Sequence, residues 1–271
     1  MITNAEIESL IRSAASAAVA GGELIRSEFG RPFSYRRSGK YDLKLGIDVA
    51  SEDLIARELR HVEKGSNVIS EEQLRGAVSK TGVSWVVDPL DGTNNFASGI
   101  AYLAVSIGVV VDGRLEGAVL HDPITRLTVT AYSGSGLRDG RVEPFRRLQP
   151  VRDRSLSECA ISLVTDYSAA GREDGYLKWR LLNEHARRVL TMWAPGADLL
   201  HLALGQLDGI VCNDAAYEDV GAGLLIATEA GATILGQDGE RLRPRDIAPG
   251  SSITFVAAQT PSLARQLFAH V

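Results

Sequence analysis

Apolar residues recur at helical spacing near the start of the chain, where Ile7, Leu10, Ile11, Ala14 and Ala18 share one face behind Thr3 or Asn4 as a cap. Gly21-Gly22 weakens that run before Leu24 and Ile25 resume it, and the pattern predicts one long helix. A second helix is predicted over about 51–63, with Leu54, Ile55, Leu59 and Val62 at the apolar positions and Ser51 as cap. The pattern then shortens. Residues 67–70 and 84–87 read as strands buried on both faces, each running straight into carboxylates. Residues 103–111, 115–120 and 127–131 are rich in β-branched positions and punctuated by Asp112-Gly113 and Asp122-Pro123, which predicts an antiparallel meander. The stretch 141–154, with five arginines and two prolines, reads as a solvated seam between a first half, 1–145, and a second, 146–271. Beyond it, strands are predicted over 160–164 and 209–212, and helices over 175–184, 197–204, 219–230 and 262–269. Periodicity thus gives a mixture of α and β.

At 271 residues the chain exceeds one average domain of about 150 residues and falls short of two, so it is one large unit or two halves sharing a core. Its net charge of −5, from 29 basic and 34 acidic residues, supplies no basic face for a nucleic-acid polymer. A small phosphorylated ligand remains open, because a bound cation reverses the local field. Cys159 and Cys212 are too few for a disulfide framework, lack Cys-x-x-Cys spacing and read as small buried residues. Glu6, Glu8 and Arg12 interrupt the first apolar run, unlike a signal peptide, and no run approaches the roughly 18 apolar residues of a membrane span. The expected setting is the cytoplasm, away from the membrane. His61, His121, His185 and His201 show no metal-ligand spacing, and the paired glycines form neither a P-loop nor a dinucleotide fingerprint.

The densest chemistry lies in the segment WVVDPLDGTNNF, residues 85–96. An apolar strand delivers Asp88, Pro89 fixes the turn, Asp91 follows, and Gly92-Thr93 offers backbone N–H groups beside a hydroxyl. Such a loop either holds a hard cation together with a phosphate or is an Asx turn in which each aspartate caps backbone. Glu71 and Glu72 end the preceding strand, where adjacent carboxylates are awkward without a cation. Asp42 and Asp48 follow Lys40, and Asp219 opens a glycine-rich helix where a carboxylate is comfortable even without metal.

Together these residues resemble the inositol monophosphatase family of metal-dependent, lithium-sensitive phosphatases. The block DPLDGTNNF is similar to the family's DP(I/L)DGTxNF signature, Ile69-Ser70-Glu71-Glu72 to its GEE element, residues 104–108 to its AVSIG strand, and residues 218–223 to its WDxxAG element. The resemblance implies a layered αβαβα sandwich of the sugar-phosphatase type and a homodimer acting on a small phosphorylated metabolite. It also implies two or three Mg²⁺ ions held by Glu71, Asp88, the carbonyl of Leu90, Asp91 and Asp219. Thr93 and Asp48 would orient and deprotonate the attacking water, Gly92 and Thr93 amides would hold phosphate oxygens, and Glu72 would support the metal ligands. Asp42 and Lys40 fall near a third, weaker metal position.

Departures from the family pattern bear on the substrate. The segment DLKLGID keeps Asp42 and Asp48 but loses the family's threonines. Trp193-Ala194-Pro195-Gly196 stands where a GSAA turn is usual, so an indole replaces a glycine. Cys212 takes the place of the glutamate that would bind inositol hydroxyls, with Asn213 or Asp214 as substitutes, and Glu218 replaces a tryptophan. The expected substrate is therefore not plain myo-inositol phosphate. Trp193 either stacks on a planar leaving group or packs in the core, and Asp214 or Glu218 is available to pair with an amine. Alternatives within the family are phosphatases for 3′-phosphoadenosine 5′-phosphate, nucleoside monophosphates, fructose 1,6-bisphosphate or histidinol phosphate. The rival outside it is a non-catalytic binding protein.

Overall fold

The computed structural model describes residues 2–32, 35–37, 43–70, 78–145, 151, 153–165 and 168–271. Helix α1 spans Asn4–Glu28, and its start is closed reciprocally: the Thr3 hydroxyl accepts from the Glu6 N–H while the Glu6 carboxylate accepts from the Thr3 N–H at 2.8 Å. Gly21 and Gly22 do not interrupt the helix. They are points of close approach, since a Cβ at Gly21 would lie 2.7 Å from Ile55 and one at Gly22 would collide with the His121 ring. After a short hairpin, β1 (Tyr35–Arg37) with β2 (Leu43–Leu45), helix α2 covers Gly46–Val62. It begins ahead of Ser51 because the Asp48 carboxylate accepts from the Leu45 N–H at 2.8 Å and closes the first turn without a capping hydroxyl.

Strands β3 (Asn67–Ser70), β4 (Val83–Asp91), β5 (Ala104–Val111), β6 (Arg114–Asp122), β7 (Leu127–Tyr132) and β8 (Arg138–Asp139) form a six-stranded sheet in sequence order. Only β3 and β4 run parallel, so the expected meander is present. Helix α3 (Thr93–Ala97) leaves the end of β4. The described part of the seam is tied to this sheet: Val142 is buried in the core and the Arg141 carbonyl accepts from Arg12. Residues 146–150 and 152 lie outside the described residues.

The second sheet has the order β10 (Arg188–Leu190), β9 (Ala160–Val164), β11 (Gly209–Ala216), β13 (Ser252–Ala258), β12 (Thr233–Gly236). Helices α4 (Ala169–His185), α5 (Pro195–Leu204), α6 (Tyr217–Glu229) and α7 (Pro261–Phe268) complete the chain. α1 and α2 cover one face of the first sheet, α5 and α6 lie between the sheets, and α4 and α7 cover the far face of the second. This is the layered αβαβα sandwich. One cluster of buried side chains runs from Val86 and Leu120 through Leu199 and Leu224 to Phe255, so the middle layer gives both sheets a shared core. Among the described residues no helix is long and apolar enough to cross a membrane.

Candidate active site

The C-terminal end of β4 opens into a cleft of 270 Å³ between the layers. Asp88, Leu90, Asp91, Gly92 and Thr93 line one end together with Asp219 from the first turn of α6. β4 stays regular to Asp88, and its pairing with β5 is displaced between Asp88 and Asp91, which swings the loop out of the ladder. The Leu90 N–H donates to Asp88 Oδ1 at 3.0 Å, and the Thr93 hydroxyl donates to the Leu90 carbonyl at 3.1 Å. Gly92 has φ +93, and a Cβ there would stand 2.8 Å from the Tyr102 carbonyl, so this turn requires glycine.

The loop is clamped to the second half of the chain. Asp91 Oδ2 accepts from the Ala197 N–H at 2.7 Å, capping α5, whose own N-cap, Ala194, has no capping atom. Asn95 donates to the carbonyls of Tyr102 and Met192 at 3.0 and 2.9 Å, fixing the loop that carries Trp193. Asp198 does not cap its helix. It is fully buried and accepts from the Tyr102 hydroxyl at 2.6 Å and the Ser162 hydroxyl at 2.7 Å. Burial raises its pKa to about 6 although both hydroxyls favour the ionised form. Tyr102, pushed up by burial and by Asp198, stacks on His201 with ring centroids 4.8 Å apart.

The expected site residues separate by position. Asp88, Leu90, Asp91, Gly92, Thr93 and Asp219 line one cleft, and Trp193 and Asp214 line it further along. Asp48 is buried in the first turn of α2, and Ser51, one turn on, donates to the Pro89 carbonyl at 3.4 Å, so that face meets the loop. Glu71, Glu72, Lys40 and Asp42 lie outside the described residues. Three other placements differ from expectation. Cys212 is fully buried on the core side of β11, with its thiol pKa pushed up by burial, so it faces away from the cleft. Ala194 is buried behind the loop against Ala104 and Ala197. Glu218, where helical geometry turns the side chain off the Asp219 face, lines a separate pocket with Ile69, Val86 and Pro249.

Sequence reading passed over Glu52 and the two hydroxyl partners of Asp198. Glu52, buried in α2, accepts from the Ser70 hydroxyl at 2.5 Å at the end of β3. Its signal was available, since Asp48 and Glu52 are four apart and share a helix face. Asn213 lines the cleft, with Oδ1 taken by Lys178 at 3.0 Å and an amide hydrogen by Asp174 at 2.8 Å.

The donor set suits a hard divalent cation: carboxylates and one carbonyl, all oxygen. Among the described residues no three Asp, Glu, His or Cys side chains group closely enough to enclose an ion by themselves, and Glu71 lies beyond them.

Comparison with known proteins agrees with this geometry. The sequence profile of the inositol monophosphatase family matches residues 6–271. The inositol-1-monophosphatase of Rhizobium meliloti is 30% identical over 228 residues, 82% of this chain and 84% of that protein. The Nus factor SuhB of Escherichia coli K12 is 31% identical over 229 residues, covering 83% and 84%. The crystal structure of the extragenic suppressor protein suhB from Bartonella henselae superimposes with a TM-score of 0.84 at 24% identity, covering 97% of this chain and 98% of that one. The chain belongs to the inositol monophosphatase family and is a phosphoric monoester hydrolase.

Proposed function

We propose that the protein is a Mg²⁺-dependent phosphatase of a small alcohol, sugar or cyclitol phosphate other than plain myo-inositol phosphate, working in the cytoplasm as a homodimer. The observation that carries this reading is the meeting of Asp88, the Leu90 carbonyl, Asp91 and Asp219 with the Gly92-Thr93 turn in one cleft. Glu71, Asp88, Leu90, Asp91 and Asp219 would hold two or three ions. Mg²⁺ bound there supplies Lewis-acid activation of water and neutralises charge on phosphate. The protein's own part is geometric. Gly92 and Thr93 present backbone amides to the phosphate, with the turn fixed by Asn95 and by the bond from Ala197 to Asp91. The Thr93 hydroxyl, which donates to the Leu90 carbonyl in the structure, would turn to accept from the attacking water and give its own proton to Asp48. Glu72 supports the ligands.

Phosphate release with Mg²⁺ across inositol 1-phosphate, fructose 1,6-bisphosphate, nucleoside monophosphates, 3′-phosphoadenosine 5′-phosphate and amino-alcohol phosphates tests the reading. One ester turned over well ahead of inositol 1-phosphate, with Asp91→Asn inactive, is expected. Release from none of them, with no Mg²⁺ heat in titration calorimetry, would point instead to a binding protein that kept the fold.

A further inference from the structure

The end of the cleft away from the phosphate turn is shaped by two residues with unusual backbone. Trp193 has φ +50 and Asp214 φ +57, and both line the cleft. An indole in the left-handed region is strained, so its position there is held by its surroundings. Met192, just before it, is anchored through its carbonyl by Asn95 at 2.9 Å. Asp214 sits in a bulge of β11, where pairing with β13 slips between Cys212 and Ala215. The bulge is pinned from the next strand: the Asp214 N–H donates to the Thr254 hydroxyl at 3.0 Å, and the Ser252 hydroxyl donates to Asp214 Oδ1. Bulges re-aim side chains beside active sites, and this one presents a solvent-exposed carboxylate while Cys212 stays in the core.

Charge decides what this end accepts. Among the described residues lining the cleft there is no Arg or Lys, and Lys178, on α4 behind the wall, is engaged by Asp174 and Asn213. Asp214 Oδ2 accepts no hydrogen bond from any described residue. On the same wall Asn213 has already committed its oxygen and one amide hydrogen, and Cys212 has turned away, which leaves the Asp214 carboxylate as the exposed acceptor there.

We infer that the alcohol released by this enzyme carries a planar ring and a positive charge, the ring laid on Trp193 and the cation held by Asp214. Aromatic rings stack offset with other rings, and a cationic N–H donor to a carboxylate is the stronger class of hydrogen bond. Trp193 and Asp214 are thereby specificity-determining residues. The inference rests on the phosphatase reading of the same cleft.

The test compares kcat/KM, with Mg²⁺, for four phosphate monoesters: an imidazole-bearing amino alcohol (planar and cationic), benzyl phosphate (planar and neutral), phosphoethanolamine (cationic without a ring) and inositol 1-phosphate. The first is expected to lead each of the others by at least about tenfold. Asp214→Asn, which tolerates the same backbone, should lower the ratio of the cationic ester to benzyl phosphate about tenfold, and Trp193→Ala should lower both ring-bearing esters relative to phosphoethanolamine. Equal turnover of benzyl phosphate or inositol 1-phosphate, or a ratio unmoved by Asp214→Asn, overturns the inference. A second measurement separates it from the chemistry: calorimetry of the free imidazole-bearing amino alcohol without metal. Binding at least fivefold tighter to the natural protein than to Asp214→Asn supports the inference even where no ester is hydrolysed, and equal or absent binding contradicts it.

Discussion

Asp198 shows how a single buried side chain makes stability respond to pH. Its folded pKa of about 6 lies above the ordinary carboxylate value of 3.8, so the native protein binds a proton that the unfolded chain has already released. The stabilising contribution is complete below about pH 4 and is lost as pH rises through 6. Asp198→Asn removes this dependence and keeps an amide oxygen for Tyr102 or Ser162. Urea unfolding at pH 4.5 and 7.5 should show the variant gaining on the natural protein by about 2 kcal/mol between the two conditions. A constant difference would mean that Asp198 is ionised throughout. His121 acts in the opposite sense to a histidine with an acidic partner: burial lowers its pKa, so the stability it confers falls as pH drops below its ordinary 6.5.

Residue types announced this part of the site unevenly. The aspartates of residues 88–91 and Gly92 were legible because a strand, a proline and a glycine leave only one economical turn. Asp198 reads in sequence like any helix-start acid, and only the packing of Tyr102 and Ser162 against it shows a buried acceptor. Cys212 stands at an expected substrate position along the chain, yet the period of a strand sends it inward and the bulge hands the cleft to its neighbours.

Among the elements, α5 borrows its cap from the loop it faces. Asp91→Ala and Asp91→Asn remove the same charge, but asparagine retains an oxygen for the Ala197 N–H, so the alanine variant should unfold about 1 kcal/mol more easily in urea. Equal stabilities would show that α5 does not depend on that bond. α1 supplies the complementary case of close approach. Gly22→Ala places a methyl group in the His121 ring and should force α1 off β6 at about 1 to 3 kcal/mol, read as a lower thermal midpoint. Periodicity predicted α1 correctly but took these glycines as a weakness, because spacing records which face is buried and not how near the next element comes. The start of α2 was misplaced for a related reason. A hydroxyl at Ser51 matched the capping pattern, whereas Asp48 closes the turn from inside the helix. Strands β10, β12 and β13 went unassigned because they are short or lie in the far sheet, where pairing partners rather than alternation define them.

For the whole molecule, the shared middle layer makes the cleft a joint product of both halves. β4 and α3 bring the aspartates and the phosphate turn, while α5, β11 and α6 bring Pro195, Asp214 and Asp219. The outer face of α4 leaves Tyr176 61% and Leu177 52% exposed, an apolar strip suited to the second copy that the homodimer proposal requires. Leu177→Glu should then shift the mass seen by light scattering from dimer to monomer, and a monomeric natural protein would refute that assembly. The central claim, that oxygen ligands in this cleft hydrolyse a phosphomonoester through bound Mg²⁺, is tested most directly by following phosphate release during Mg²⁺ titration for the natural protein and Asp88→Asn. Release should rise from nothing in chelator to a plateau, and Asp88→Asn should fall by more than about 100-fold, beyond the loss from a residue that only supports a ligand. Release that persists in chelator, or an Asp88→Asn variant as active as the natural protein, would contradict the account.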